Sequence, residues 1–298
     1  MDTKVIELLE RLLRVAESVD ARLPKALTAP DWSASIAFLY RKRHGNAQLE
    51  PVKNIQLIAL EQLCQVDIQK QKIWENTEQF VKGALANNVL LTGARGTGKS
   101  SLVKACLNDF AAAGLRLIEI DKDDLVDLPD IINLVADRPE RFIIFCDDLS
   151  FDDGEPGYKA LKSVLDGSVA GTATNSNVLI YATSNRRHLL PEYVKENLQY
   201  QHQENGEVHP GEGTEEKISL SERFGLWVSF YPFSQQDYLA IVDQWLLNLG
   251  LSQDDAAKSH AEALIWALER GSRSGRVAFQ FAKDYCGRIA LHRSAKRP

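Results

Sequence analysis

The sequence lacks the features that mark membrane and secreted proteins. Among its 298 residues, no apolar run approaches the roughly 20 that span a bilayer, and the N-terminus has no secretory signal pattern. Only four cysteines occur, at positions 64, 106, 146 and 286, and no two of them form a C-x-x-C pair. Cys106 and Cys146 lie within apolar elements, so we expect reduced core residues in a cytoplasmic protein without membrane contact.

A surplus of positive charge is also missing. Lysine and arginine number 35 against 41 acidic residues, which gives a net charge of −6. This charge balance provides no general attraction to nucleic acid, although the sequence still allows a basic surface on one part of the protein. With 44% apolar and 26% charged residues, the composition is that of a folded globular chain. The length suffices for one large domain and a smaller one.

The most specific pattern is a glycine-rich segment between a strand signal and a helix signal. An apolar run over 89–91 precedes it, and apolar residues at helical spacing follow it over 102–110. The segment matches G-x-x-x-x-G-K-[ST] without a mismatch and is followed by Ser101; it reads Gly93-Ala94-Arg95-Gly96-Thr97-Gly98-Lys99-Ser100. We call residues 93–100 the phosphate loop.

The chemistry of this loop follows from its residue types. Its glycines allow main-chain N–H groups to converge on phosphate oxygens at the start of a helix. Lys99 would reach the β- and γ-phosphates, and Ser100 would offer its hydroxyl to Mg²⁺. The alternative is a glycine-rich turn without a ligand. In this strand-and-helix context, we favour a nucleotide-binding protein.

Strand and helix signals alternate through the middle of the chain, which predicts a parallel sheet with helices on both faces. Strands are predicted over 89–91, 115–120, 142–146, 178–182 and 226–231, with helices over 130–136 and 158–165 among them. Further helices are predicted over 4–22, from Asp31 to about 44, and over 55–64, 68–81, 234–249, 252–269 and 275–292. We therefore predict an N-terminal helical module (1–50), an α/β nucleotide-binding domain (51–231) and a C-terminal α-helical lid (232–298).

Two further stretches admit more than one interpretation. The basic run at 41–44 is explained better by a cationic helix end before Gly45 than by a nucleic-acid patch. The polar stretch 196–217 is a long loop or a partly ordered insertion. We interpret its His202 and His209 as solvated, since their spacing offers too few ligands for a metal.

A carboxylate pair follows the apolar strand at 142–146. Ligand groups in parallel sheets gather at the carboxyl ends of strands, so Asp147 is expected to bind Mg²⁺ beside Ser100. Asp148 is placed to orient or deprotonate the attacking water. The alternative is that both aspartates merely begin an exposed loop.

Three more polar residues are candidates for the same site. Asn185 follows the strand at 178–182 and could hydrogen-bond the γ-phosphate and the water, with Thr183 in reserve, although Ser-Asn is also ordinary turn chemistry. Arg223 could reach the γ-phosphate of a neighbouring subunit, or form a salt bridge with Glu222 or a surface contact. Arg276 begins a helix, where a cation suggests an anion contact, and Arg273 could share or replace that role.

The phosphate loop, the carboxylate pair, Asn185, Arg223 and Arg276 are five features that, in this order along the chain, resemble the nucleotide-site motifs of the AAA+ ATPases. The resemblance covers about residues 51–298. The resemblance implies that 93–100 is Walker A, 144–148 Walker B, Asn185 sensor 1, Arg223 the arginine finger and Arg276 sensor 2. More narrowly, the residues around 87–105 and 219–226 resemble a bacterial AAA+ family classed as of unknown function. The resemblance to the AAA+ ATPases also implies ATP and Mg²⁺ as ligands. It further implies a homo-oligomeric ring, such as a hexamer, in which neighbouring subunits share active sites.

Two departures from the AAA+ pattern refine this expectation. Walker B ends in Asp147-Asp148 where family members commonly have Asp-Glu, so hydrolysis is expected to be slow. The segment 121–129 is acidic and has no aromatic residue, which argues against processive threading of polypeptide.

The main hypothesis is an ATPase that remodels a macromolecular partner. The alternatives are a non-hydrolysing, ATP-switched adaptor that works through 1–50 and 196–217, and a nucleic-acid-bound loader, which the acidic balance disfavours.

Overall fold

The computed structural model describes residue 6 and residues 11–14, 26–43, 45–56, 58–151, 155–166, 177–186, 189, 201–202, 208–209 and 220–294. The strands are β1 (Ala37–Arg43), β2 (Asn46–Pro51), β3 (Val89–Gly93), β4 (Leu115–Glu119), β5 (Arg141–Cys146), β6 (Val178–Ser184), β7 (Gln201–His202), β8 (Val208–His209) and β9 (Leu226–Phe230). The α-helices are α1 (Asp67–Val81), α2 (Lys99–Phe110), α3 (Leu128–Val135), α4 (Pro156–Leu165), α5 (Gln235–Asn248), α6 (Gln253–Lys258), α7 (His260–Glu269) and α8 (Gly275–Ser294).

Within the described residues, seven strands form one sheet in the order β2-β1-β4-β5-β6-β3-β9. All neighbours pair in parallel except β1 and β2, which form an antiparallel hairpin. Successive side chains of a strand point to opposite faces. Ile143 and Phe145 therefore join one core, with α1, α2 and the C-terminal helices, while Phe142 and Ile144 join the other, with α3 and α4.

This architecture confirms the predicted α/β fold, a mostly parallel sheet with helices on both faces followed by a helical C-terminal region. The strands predicted at 115–120, 142–146, 178–182 and 226–231 are β4, β5, β6 and β9, and the predicted helices at 68–81, 130–136 and 158–165 are α1, α3 and α4. Long apolar or periodic segments of this kind determine their own structure. The predicted domain boundaries stay a prediction.

The helix predicted from Asp31 to about 44 is wrong, and with it the purely helical character of 1–50. Residues 37–51 form the β1–β2 hairpin, turning at Gly45 with φ of 80°. Phe38 and Tyr40 are buried on one face and Leu49 of β2 joins them, a period of two that belongs to a strand. Of the helix predicted over 4–22, residue 6 and residues 11–14 are helical; the rest lies outside the described residues.

Residues 41–43 of the basic run lie at the end of β1, next to the edge strand β2, rather than at a helix end. Lys42 Nζ is 2.9 Å from Asp127 Oδ2, and both Arg41 and Arg43 lie 3.4 Å from Glu50. Charged side chains near a sheet edge discourage pairing with other chains. Two neighbouring carboxylates thus pair with the three cations of this cluster, and these ion pairs give no support to a nucleic-acid patch.

The helix predicted over 55–64 is also wrong, apart from one 3₁₀ turn at Leu60–Gln62. The segment instead packs on the C-terminal helices, because Gln244 Nε2 of α5 donates a 2.7 Å hydrogen bond to the carbonyl of Glu61. Leu63 approaches Gly98 of the phosphate loop. Tertiary contacts with two neighbours here override the local helical pattern.

The polar stretch 196–217 is described only at 201–202 and 208–209, where β7 and β8 pair antiparallel. The rest of the predicted loop lies outside the described residues. All four cysteines are free thiols, as predicted. Burial raises the pKa of Cys106 and of Cys146 to about 12, so both remain protonated core residues. In the part of the chain that is described, no helix has the length and apolar character needed to cross a membrane.

The β1–β2 hairpin yields a stability test. Phe38 is fully buried and packs edge to face on Trp32, with 4.8 Å between the two ring centroids. We expect Phe38→Ala to lower the free energy of unfolding by about 3 kcal/mol, through lost burial and a cavity. Arg43→Ala, an exposed change in the same strand, should cost less than about 0.5 kcal/mol. Urea denaturation measures both, and equal, small effects would contradict burial of the hairpin.

Candidate functional site

The phosphate loop connects β3 to α2 at the carboxyl end of the sheet. Gly93 has φ of 124°, and a Cβ there would lie 1.8 Å from the carbonyl oxygen of Phe230 in β9. Gly96 has φ of 71°, and its Cβ would lie 2.7 Å from Cβ of Ser274. Both positions therefore require glycine for backbone angle and for space. The motif glycines fit the loop between the neighbouring strand and the C-terminal helices.

The first turn of α2 contacts the end of β5. Ser100 Oγ donates a 2.6 Å hydrogen bond to Asp147 Oδ1, and Thr183 Oγ1 at the end of β6 donates to the same oxygen at 2.5 Å. The two residues predicted to hold Mg²⁺ thus lie side by side, although they are 47 positions apart in sequence. Ser101, the next residue of the helix, is half-buried.

Lys99 folds back over the loop that precedes it. Its ammonium group donates to the carbonyls of Gly93 and Ala94 at 2.7 and 2.8 Å, and to Asn185 Oδ1 at 3.1 Å. The residue is only 6% exposed. Burial lowers the pKa of Lys99 from its ordinary value, while Asp147 and Asp148 act in the opposite direction. A buried cation thus lies within the phosphate loop, next to two carboxylates.

Asp148 and Asn185 lie together, as expected from their places after neighbouring strands. Asn185 Nδ2 donates to Asp148 Oδ1, and the main-chain N–H of Asp148 donates to Thr183 Oγ1 at 2.9 Å. Asp148 has φ of 53°, in the left-handed region, which aspartate tolerates better than most residues. Arg95 of the phosphate loop lies 3.7 Å from the second carboxylate oxygen.

Arg223 lies between Leu220 and Phe224, two residues that are buried in the core. Its Nε forms an ion pair with Asp166, just beyond the end of α4. The sequence suggested Glu222 as an intrachain partner, and Asp166 is a partner that no local pattern indicated. Arg223 is partly exposed, with 24% of its side chain accessible.

The start of α8 packs directly on the phosphate loop. The main-chain N–H of Gly275 donates a 2.8 Å hydrogen bond to the carbonyl of Gly96, and the buried Ser274 caps the helix by accepting from Val277 N. Cβ of Arg276 is near Gly96 as well, although its side chain is exposed. The helical region and the loop therefore meet through main-chain atoms.

A cleft of about 330 Å³ opens between the phosphate loop and the C-terminal helices. Its lining consists of Ala94, Arg95, Thr97, Pro232, Phe233, Gly271, Ser272 and Arg273. Arg273, which the sequence offered only as a substitute for Arg276, faces this cleft. Two arginines, one from the phosphate loop and one from the C-terminal region, thus line the same cleft.

The donor set fits a metal held together with a phosphate ligand. Mg²⁺ prefers oxygen ligands and is commonly bound by one or two carboxylates plus substrate phosphates. Ser100 and Asp147 supply a hydroxyl and a carboxylate at hydrogen-bonding distance. Among the described residues, no group of three or more His, Cys, Asp or Glu side chains could hold a metal ion.

Sequence reasoning underestimated two positions in this site. Thr183 was only a reserve phosphate contact, yet its hydroxyl links Asp147 to the main chain of Asp148. Arg95 was predicted only as a member of the loop, yet its side chain approaches Asp148. Two signals in the sequence could have indicated these roles. One is a hydroxyl residue at the carboxyl end of a strand, and the other is a charged residue inside the motif.

Comparisons with known proteins place the chain in a family. A family model described as "Protein of unknown function (DUF815)" matches residues 33–289. A comparison with curated proteins gives no match. Among solved structures, the Thermotoga maritima RuvB Holliday junction branch migration motor is similar at 13% identity and a TM-score of 0.45, covering 74% of this chain and 61% of that one.

Two other solved structures are similar at the same level. A mutant of Thermotoga maritima RuvB has 15% identity and a TM-score of 0.49, covering 76% of this chain and 63% of that chain. A chain in the E. coli MS115-1 HORMA:CdnC:Trip13 complex has 11% identity and a TM-score of 0.49. The match covers 76% of this chain and 90% of that chain. The protein spans a little under two thirds of these RuvB chains. The family match extends over most of the sequence, and the protein belongs to the DUF815 family.

Proposed function

We propose that the protein is an ATPase of the AAA+ type, which binds ATP with Mg²⁺ at the phosphate loop and hydrolyses it slowly. The observation that carries the proposal is the 2.6 Å contact between Ser100 and Asp147. It joins the end of the phosphate loop to the end of β5. A glycine-rich turn without a ligand gives no reason for a hydroxyl and a carboxylate to meet at that point.

Each residue of the site has a role that its chemistry allows. Main-chain N–H groups of 93–100 and the start of α2 would bind the phosphates, and Ser100 with Asp147 would hold Mg²⁺, which neutralises charge on the β- and γ-phosphates when bound. The ammonium of Lys99 can exchange its carbonyl acceptors for phosphate oxygens, since it carries three donors.

Two residues beside the metal ligands would act on the attacking water. Asp148 would accept a proton from the water, and Asn185 would orient it. The two side chains already share a hydrogen bond. This contact fixes the amide and the carboxylate relative to each other at the mouth of the loop. Arg273 and Arg276 would contact phosphate from the C-terminal helices.

The second candidate is a non-hydrolysing adaptor or loader, for which bound ATP acts only as a switch. Asp148 has a shorter side chain than the glutamate common at this position, and both of its carboxylate oxygens already have partners, Asn185 and Arg95. A carboxylate whose two oxygens both have partners has fewer free lone pairs to offer to water. This observation favours slow hydrolysis and leaves the switch as the alternative.

We further propose a homo-oligomeric ring, such as a hexamer, in which Arg223 reaches a neighbour's γ-phosphate. The guanidinium is partly exposed, as a residue acting between subunits requires.

We also propose that the assembly remodels a protein partner without processive threading. In support, the acidic segment Lys122–Asp127 is a 3₁₀ helix whose Leu125 is buried and whose Asp127 accepts hydrogen bonds from Tyr40 and Lys42.

Removal of the buried ammonium tests nucleotide binding. We expect Lys99→Ala to weaken binding of ATP by about 100-fold, because charge-assisted hydrogen bonds to phosphate are lost. Titration with a fluorescent ATP analogue measures the dissociation constant. Lys82→Ala removes a surface lysine that pairs with Glu78 four residues away, and it should bind like the wild type. Equal affinity in all three proteins would refute the nucleotide site.

Removal of Arg223 tests the shared site. We expect Arg223→Ala to bind ATP as tightly as the wild type and to release phosphate about 1000-fold more slowly, as is typical when an arginine finger is lost. A phosphate-release assay measures the rate, with Arg43→Ala as the surface control and Asp148→Asn as the inactive reference. Full activity of Arg223→Ala would exclude the role between subunits. A wild type no faster than Asp148→Asn would establish the non-hydrolysing switch.

A further inference from the structure

Arg95 is the second cation of the phosphate loop, and the motif itself does not require it. The motif leaves its position open, and the loop needs only main-chain atoms there. The side chain nevertheless points to the site, since its Nη2 lies 3.7 Å from Asp148 Oδ2. It also lines the cleft to which Arg273 contributes.

The partner of Arg95 belongs to a continuous chain of polar contacts. Asp148 accepts from Asn185 through its other oxygen, and Asn185 in turn accepts from Lys99 at 3.1 Å. The main chain of Asp148 is fixed by Thr183. Arg95 therefore lies at the end of a series of groups that surround the place where the last phosphate would be bound.

The pair between Arg95 and Asp148 is easily exchanged for a stronger one. Both side chains are well exposed, at 79% and 59%, and an exposed ion pair of this length contributes little to stability. A terminal phosphate carries more charge than one carboxylate, and a guanidinium can bind two of its oxygens at once. A triphosphate next to Asp148 would therefore attract Arg95 away from it.

We propose that Arg95 binds the terminal phosphate of a nucleoside triphosphate held by its own phosphate loop, and leaves Asp148 when it does so. Arg95 thereby distinguishes a triphosphate from a diphosphate within one subunit. The same exchange releases one oxygen of the Asp148 carboxylate, which is then available to the attacking water. The inference rests on the proposed function, because it requires nucleotide in the loop.

The alternative is a solvated arginine that touches no ligand. Such a residue would not discriminate between nucleotides, because neither would contact it. A residue that stabilises only the loop would affect both nucleotides equally, since both occupy the loop through their β-phosphate. The ratio of the two affinities therefore separates the three cases, and it does not depend on catalytic turnover.

The test measures binding of Mg²⁺ complexes of a non-hydrolysable ATP analogue and of ADP by calorimetry. We expect Arg95→Ala to lose about tenfold in affinity for the triphosphate and to keep its ADP affinity within about twofold, as for a lost charge-assisted contact. Arg95→Lys should recover part of the loss, since it keeps the charge without the planar fork. Arg43→Ala, which removes an exposed arginine from β1, should behave as the wild type.

Several results would overturn these proposals, and they are distinguishable. A wild type that binds neither nucleotide would overturn the proposed function itself. If the wild type binds both, an equal loss for ATP analogue and ADP in Arg95→Ala would assign the residue to loop structure. No loss for either would assign it to solvent. Retained ADP affinity in Arg95→Ala also shows that the variant is folded.

Discussion

One carboxylate joins the parts of the site. Asp147 accepts hydrogen bonds through one oxygen from Ser100 on α2 and from Thr183 at the end of β6, so three elements meet at a single atom. A carboxylate with two donors retains lone pairs for a metal. The order of the sheet permits this meeting, because β5, β6 and β3 are adjacent. The proposed chemistry depends on this arrangement, since phosphate, metal and water must be held at one edge.

The polar groups around this atom carry the positive charge and the donors that the proposed phosphate ligand requires. Lys99 is buried and donates to carbonyl and amide oxygens, and burial lowers its pKa. Arg95 and Arg273 face a common cleft. The main-chain contact between Gly96 and Gly275 then couples the loop to the C-terminal helices. A ligand that moves the loop would therefore also move the start of α8, which is how nucleotide state could reach a partner.

Sequence reasoning was most reliable where a segment's own pattern determines its structure. The apolar strand β5, the glycine loop and the periodic helices of the C-terminal region were predicted near their observed positions. It was wrong from Asp31 to about 44, where a helix is predicted but the apolar residues of β1 are spaced by two, and at 55–64, where contacts with α5 decide the conformation. The partners of Arg223 and Arg95 were not predictable, because Asp166 and Asp148 are distant in sequence and only the fold brings them close.

The central claim is that Asp147 holds a divalent metal together with a triphosphate. Binding of Mn²⁺, a paramagnetic substitute for Mg²⁺, can be measured by electron paramagnetic resonance with and without ATP, in the wild type and in Asp147→Asn. The account predicts that ATP increases Mn²⁺ binding to the wild type and that Asp147→Asn loses most of this increase while it still binds ATP. Equal Mn²⁺ binding in the two proteins would contradict it.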